Sequence, residues 1–224
     1  MTRIKFMEST NNQLAVIQNN LAPFLEGTEL SATQMEQVNA HLELLLKWNA
    51  QINLTSVREP EAILARHFGE SFFAARVLLG EGNASAGKAK PKTAIDLGSG
   101  AGFPGIPLAI YAAEIKITLI EAHNKKVTFL KESVRALKLQ NVEVFDGRAE
   151  QCNFKTDIVM MRAVEKFAQS MMTGARLVGP GGRLVLLTGK EHVAEAKMML
   201  PMFKWQDAIA IPQSEARVVL VGVA

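Results

Sequence analysis

The sequence predicts an α/β fold in which a mostly parallel, doubly wound sheet follows a helical N-terminal segment. Three observations predict it. From Thr93 onward, short apolar runs alternate with amphipathic stretches, the pattern of a parallel sheet with helices on both faces. Residues 94–105 read Ala-Ile-Asp-Leu-Gly-Ser-Gly-Ala-Gly-Phe-Pro-Gly, an apolar strand that runs into a glycine-rich turn. Before residue 80, apolar residues recur at helical spacing instead.

The elements follow in order. Ser31-Ala-Thr-Gln34 has the form of a capping box. Behind it Met35, Val38, Leu42, Leu45, Leu46 and Asn49 continue at helical spacing, all but the last apolar. Pro60 suits the first turn of a further helix that carries Ile63, Leu64, Phe68, Phe72 and Leu79. These stripes are read as core. Gly80 to Lys92 is rich in Gly, Ala, Ser and Lys and reads as a flexible linker. The expected organisation is therefore a helical segment over 1–80 packed on the core, a linker over 81–92, and an α/β domain over 93–224. Strands are expected near 93–98, 116–120, 141–145, 157–161, 183–188, 205–211 and 217–222. Helices are expected between most of them, starting at Gly105–Ala112. The clearest is Lys125 to Lys138, with Val127, Leu130, Val134 and Leu137 on one face. The last two strands, separated by Pro212-Gln-Ser-Glu, suit a hairpin, giving seven strands with one antiparallel.

Composition sets the outer bounds. The chain has 224 residues, 48% of them hydrophobic, and a net charge of +3. Its one cysteine, Cys152, excludes an internal disulfide framework and argues against a Cys-based zinc site; no metal is expected. No run has the apolar length of a transmembrane helix, and the N-terminus lacks the apolar core of a signal peptide. A cytoplasmic protein with no membrane association and no obligatory protein partner is expected. The mildly basic balance permits nucleic-acid binding.

In an open parallel sheet, ligands bind beyond the carboxyl ends of the strands. Those ends carry Gly98, Gly100 and Gly102 after the first strand, Glu121 after the second, and Asp146-Gly-Arg148-Ala-Glu150 after the third. Arg162 follows the fourth strand and Thr188-Gly-Lys190 the fifth. The dinucleotide pattern can be laid on Gly100, Gly102 and Gly105, but its first glycine then falls several residues past the strand. The pattern that starts at Asp96, acidic-any-Gly-any-Gly-any-Gly, resembles instead the motif of the class I S-adenosylmethionine (SAM) methyltransferases. That resemblance places Asp96 near the amino group of the cofactor's methionine. Glu121, about twenty residues past the turn, stands where an acid accepts hydrogen bonds from ribose hydroxyls. Arg162 needs an anion. The methionine carboxylate and an RNA phosphate both suit its planar guanidinium, and an ion pair with Glu165 or Glu150 is the plain alternative.

The resemblance then becomes specific. Lys47-Trp-Asn-Ala-Gln-Ile-Asn-Leu-Thr55, Arg66-His-Phe, and Asp96 through Gly-Phe-Pro-Gly-Ile-Pro-Leu108 resemble the glucose-inhibited division protein B family. So do Ile120-Glu121 with Lys125-Lys126, Gly147-Arg-Ala-Glu150, and Arg162-Ala-Val164. The similarity runs from about Leu42 to Lys190. It implies the Rossmann-like fold of class I SAM methyltransferases, SAM as cofactor, and methylation of 16S ribosomal RNA, alone or in a small-subunit precursor, at N7 of guanine 527. It also implies cofactor contacts at Gly98, Phe103, Ala149, Glu150 and Arg162. The chain departs from the family at Ala122 and Met161, where serine is usual. It also departs at Gly189-Lys190, where the family's order is reversed. Lys190 is therefore assigned to a phosphate.

RNA-binding charge is expected from Arg66, His67, Lys166 and Lys190, with Lys88, Lys90, Lys92 and Arg176 as further sources. Lys125, Lys126, Lys131, Arg135 and Lys138 read as a solvated helix face. Several methyltransferases that must remove a proton from an amine carry Asn/Asp-Pro-Pro-aromatic after the fourth strand; this chain has Arg-Ala-Val. Guanine N7 already presents a lone pair, so catalysis is expected to be positional with no obligatory base. Two other function classes compete. A nicotinamide oxidoreductase is disfavoured by Asp96 and the helical N-terminal segment. A non-enzymatic RNA-binding module is disfavoured by the intact glycine turn, Glu121 and Arg162.

Overall fold

The computed structural model describes residues 2–80, 90–163 and 167–224. The linker expected over 81–92 lies outside the described residues for all but its last three positions, and Lys88 and Lys166 lie outside them too.

The N-terminal segment is helical as expected: α1 (Thr2–Leu25), α2 (Ala32–Asn49), α3 (Pro60–Ile63) and α4 (Glu70–Leu79). The Ser31 capping box forms in full, with the Ser31 side chain accepting from Gln34 N–H and the Gln34 side chain accepting from Ser31 N–H. Pro60 sits in the first turn of α3. The stretch read as one helix from Pro60 is interrupted: Leu64–Gly69 is a π-helix between α3 and α4. The wider turn keeps Leu64, Phe68 and Phe72 buried while bringing Arg66 and His67 to the sheet edge.

The α/β part contains β1 (Thr93–Leu97), α5 (Gly105–Tyr111), β2 (Lys116–Glu121), α6 (Asn124–Ala136), β3 (Val142–Asp146), β4 (Thr156–Arg162), α7 (Phe167–Leu177), β5 (Val178–Gly189), α8 (Val193–Met199), β6 (Lys204–Trp205), β7 (Ile209–Ala210) and β8 (Arg217–Val223). Strand order is β3-β2-β1-β4-β5-β8-β6, with β7 also on β8. β1 to β5 pair in parallel, and β8 runs antiparallel to β5. The expected strand 205–211 is split into β6 and β7, so the sheet has eight strands rather than seven. The split falls at Gln206–Ala208 around exposed Asp207, a residue type that sheets disfavour. β6 pairs with the end of β8, and β7 with its first half.

Alternation along the strands builds two apolar layers. Ala94, Ile117, Leu119, Ile158 and Met160 face a layer that includes Phe68, Phe72, Leu108, Phe129 and the N-terminal helices. Ile95, Leu97, Val159 and Met161 face Met171, Leu177, Ala196 and Leu200 of α7, α8 and the turn after α8. The helical segment and one face of the sheet thus share one core. Among the described residues, no helix is long and apolar enough to cross a membrane.

Candidate cofactor and RNA site

β1 lies between β2 and β4. The chain proceeds to one side from β1 and to the other from β4, so a crevice opens beyond their carboxyl ends. Gly98, Gly100 and Gly102 occupy it with φ of 72, 56 and 86°, values that strongly favour glycine. The turn is sewn to β2: Gly98 N–H and Ser99 N–H both donate to the Ile120 carbonyl at 3.0 Å. A side chain on Gly102 would strike Ile106, whereas one on Gly100 would meet only the Gly98 carbonyl, at 3.8 Å. Gly102 is thus also required by packing, and Gly100 presents bare backbone at the crevice.

Asp96 and Glu121 hold this turn from two sides. Asp96 is buried, and its Oδ2 accepts from Gly105 N–H at 2.9 Å, at the start of α5. Its Oδ1 is buried with no hydrogen-bond partner. Burial pushes its carboxyl up to about 7, against the lowering effects of Gly105 N–H, Ser99 and the Arg162 charge. A buried acid with one unpartnered oxygen could hold a cationic donor such as an ammonium group. Glu121 Oε2 accepts from Gly100 N–H at 3.0 Å, and Oε1 accepts from Ala122 and His123 N–H at 2.9 and 2.8 Å. An ionised carboxylate has about four acceptor sites, so room remains for a hydroxyl. The residues present thus fit SAM.

Ala149 and Glu150 lie on a short 3₁₀ turn, Ala149–Gln151, after β3. This loop is tied to the site because Gly147 N–H donates to the Glu121 carbonyl. Arg176, expected as a source of RNA-binding charge, instead donates to the carbonyls of Cys152 and Ala149, both at 2.9 Å. Its guanidinium is committed to holding the turn. Phe103 is buried. Its ring faces the N-terminal helices, with His41, His67 and Phe68 centroids at 5.4, 5.1 and 4.9 Å, so it offers backbone rather than ring to the crevice.

Arg162 ends β4, and its partner is one the sequence did not single out. Its Nη2 donates to the Arg66 carbonyl (2.7 Å) and to His67 Nδ1 (2.9 Å), and stands 3.5 Å from Glu70 Oε2. Glu70 is buried and also ion-pairs with Arg217 of β8. The plain alternative, an ion pair with Glu165 or Glu150, did not name this partner: Glu165 lies outside the described residues, and the carboxylate beside Arg162 is Glu70, delivered by the helix after the π turn.

His67 is corrected as a source of positive charge. It is buried, and burial first, then Arg162 and Arg66, lower its pKa to about 3. It is a neutral ring at physiological pH. Arg66 and Lys190 have exposed side chains, and Lys190 N–H is anchored to the Ala216 carbonyl at 2.8 Å. Of the helix face read as solvated, Lys125, Lys131, Arg135 and Lys138 are exposed. Sequence reading also missed His41, fully buried under the turn with Nε2 3.2 Å from the Ala101 carbonyl.

The profile of the family described as rRNA small subunit methyltransferase G matches residues 34–210. The chain belongs to this family. The ribosomal RNA small subunit methyltransferase G of Roseiflexus castenholzii is 35% identical over 213 residues, covering 88% of this chain and 87% of that one. Its counterpart in Xanthomonas oryzae is 38% identical over 151 residues, 66% of each chain. Among solved structures, the magnesium protoporphyrin IX methyltransferase of Synechocystis PCC 6803, with bound SAM, aligns with TM-score 0.61 at 15% identity, over 82% of this chain and 96% of that one. A SAM-dependent methyltransferase from Aquifex aeolicus gives 0.56 at 19% identity, over 76% and 96%. The fold of this family member is that of the class I SAM methyltransferases, and SAM is its cofactor.

Proposed function

We propose that this member of the methyltransferase G family transfers a methyl group from SAM to N7 of a guanine in 16S rRNA, the position corresponding to guanine 527. Family membership carries SAM-dependent methylation of small-subunit rRNA. The target atom rests on one further observation: the histidine ring that touches Arg162 is already fully engaged. His67 Nδ1 accepts from Arg162, and its Nε2 lies 2.7 Å from Thr55 Oγ1. Neither nitrogen is available to take a substrate proton. Guanine N7 has no proton to lose, so it suits a site built to position rather than to deprotonate.

In this reading Asp96 receives the methionine ammonium and Glu121 the ribose. Gly98, Gly100 and the backbone at Phe103 line the cofactor, and Ala149 and Glu150 close one side. SAM, when bound, supplies the electrophilic methyl group. Arg162 places a fixed positive charge beside the crevice. Arg66, Lys166 and Lys190 hold RNA phosphates. The substrate is 16S rRNA, free or within a small-subunit precursor, in the cytoplasm.

The test is transfer of tritiated methyl to rRNA from a strain lacking the endogenous enzyme, with the modified base mapped. Label on N7 of one guanine is the expected result; label on an exocyclic amine or a ribose hydroxyl overturns it. Single-turnover rates at saturating SAM and RNA should be nearly flat between mildly acidic and mildly basic pH. A steep rise with pH would reveal an essential base and a different target atom.

A further inference from the structure

Asn49, Thr55, His67 and Glu70 lie outside the glycine turn, yet they end on one side chain of the site. Asn49 is buried in the last turn of α2. Its Oδ1 accepts from Leu54 and Thr55 N–H at 2.9 and 3.0 Å, which folds the loop after α2 back on itself. Thr55 Oγ1 accepts from Val57 N–H at 3.1 Å and lies 2.7 Å from His67 Nε2. On the far side of the ring, His67 Nδ1 meets Arg162 Nη2. A guanidinium has donors only, so Nδ1 must be the bare nitrogen and Nε2 must carry the proton. Thr55, whose oxygen can accept twice, fits that tautomer. The Arg66 carbonyl takes the second Nη2 proton, and Glu70 supplies the counter-charge. Among the described residues, every side-chain hydrogen bond of Arg162 leaves from Nη2. Nε and Nη1 keep their donors.

We infer that Asn49, Thr55, His67 and Glu70 are positioning residues that clamp Arg162 by one corner and hold its remaining N–H groups for an oxyanion in the crevice. The inference rests on the reading that Arg162 belongs to the cofactor and RNA site. Two sources share the chemistry, the methionine carboxylate of SAM and a phosphate of RNA. The clamp explains why polar residues stand in and just behind an apolar helical stripe, at Asn49 and Thr55, and why a π turn precedes Glu70.

The experiment compares Thr55→Val, His67→Asn and His67→Leu with Arg162→Ala. SAM affinity is read by calorimetry, binding of unmodified 16S rRNA by filter retention, thermal midpoint by scanning calorimetry, and the His67 ring by ¹⁵N NMR. Asparagine keeps an oxygen near the place of Nδ1; leucine does not. The wild-type ring should show one tautomer, protonated on Nε2. Thr55→Val should leave the Nε2–H without its acceptor, loosen the ring while keeping that tautomer, and weaken oxyanion binding several-fold. His67→Leu should weaken it roughly tenfold or more, the scale of a hydrogen bond to a charged group, and His67→Asn should recover most of that loss. If SAM affinity falls, the oxyanion is the carboxylate; if only rRNA affinity falls, it is a phosphate. Both results support the clamp. It is overturned if Arg162→Ala loses binding while His67→Leu and Thr55→Val keep it. It is also overturned if His67→Asn and His67→Leu lose affinity alike, in step with their thermal midpoints. If Arg162→Ala binds both SAM and rRNA as wild type does, the site reading itself fails.

Discussion

At the scale of single residues, Asp96 and Glu121 carry the sharpest expectations. Asp96 holds its proton up to about pH 7 in the free protein because it is buried, and an ammonium ligand favours the ionised form. Binding SAM below that pH therefore expels a proton. SAM affinity should rise with pH, by at most tenfold per unit, and level off above about 7. Calorimetry in buffers of different ionisation enthalpy should detect the released proton at pH 6. Asp96→Asn should flatten the profile and cost about 1.5–3 kcal/mol of binding. An unchanged profile in that variant would remove Asp96 from the site. Glu121 accepts from three backbone N–H groups and so pins the glycine turn and the residues after β2. Glu121→Ala should weaken SAM binding by about 1.5–3 kcal/mol and, unlike an ordinary exposed acid, also lower the urea midpoint, because the Gly100 amide loses its partner. Asp96 and Glu121 were legible in the sequence because each ends an apolar strand. Glu70 was not. It sits beside an apolar helical stripe, and its partners Arg162 and Arg217 come from strands far along the chain. Only the sheet order brings those three together.

At the scale of elements, the glycine turn separates two kinds of requirement. A methyl on Gly100 meets nothing nearer than the Gly98 carbonyl at 3.8 Å, whereas one on Gly102 would lie 2.4 Å from Ile106 Cδ1. Gly100→Ala should therefore cost about 1–2 kcal/mol of stability, the penalty of a left-handed backbone, and impair SAM binding out of proportion by filling the cradle. Gly102→Ala adds overpacking to the same penalty and should cost about 3 kcal/mol or more. Urea unfolding and SAM calorimetry on the two variants check the contrast; equal effects on both readouts would deny it. β1, β2, β4 and β8 were legible because each carries a short apolar run bounded by polar residues or glycine. The π turn was not, since Leu64, Phe68 and Phe72 keep the same spacing in either helix type. The break between β6 and β7 was missed because Trp205 to Ile211 is largely apolar, and only the single charge of Asp207 marks the gap.

At the scale of the whole molecule, three buried titratable groups shape stability against pH. Burial lowers His41 to about 4 and His67 to about 3, and raises Asp96 to about 7. Between pH 4 and 6.5 the unfolded chain binds two histidine protons that the native state lacks. The native state binds one Asp96 proton that the unfolded chain has lost. The balance of one proton makes stability rise with pH by about 1.4 kcal/mol per unit from these groups. Above about 6.5 the histidine contribution ends and the Asp96 term alone makes stability fall slightly toward pH 7. Urea midpoints at pH 4.5, 5.5 and 6.5 should climb, and Asp96→Asn should steepen the climb. Glu70→Gln would leave Arg162 and Arg217 without their buried counter-charge and should cost about 3–5 kcal/mol, measured by the same unfolding experiment. The Phe103 ring, set among His41, His67 and Phe68, carries one more consequence. The cofactor turn cannot open without loosening the N-terminal helices, nor they without loosening it. A ligand that closes the turn should then slow solvent exchange at amides in α2 and in the π turn, an effect that hydrogen exchange with and without SAM would detect. Occupancy of the cofactor crevice is thereby written into the exchange rates of helices that precede the glycine motif in the chain.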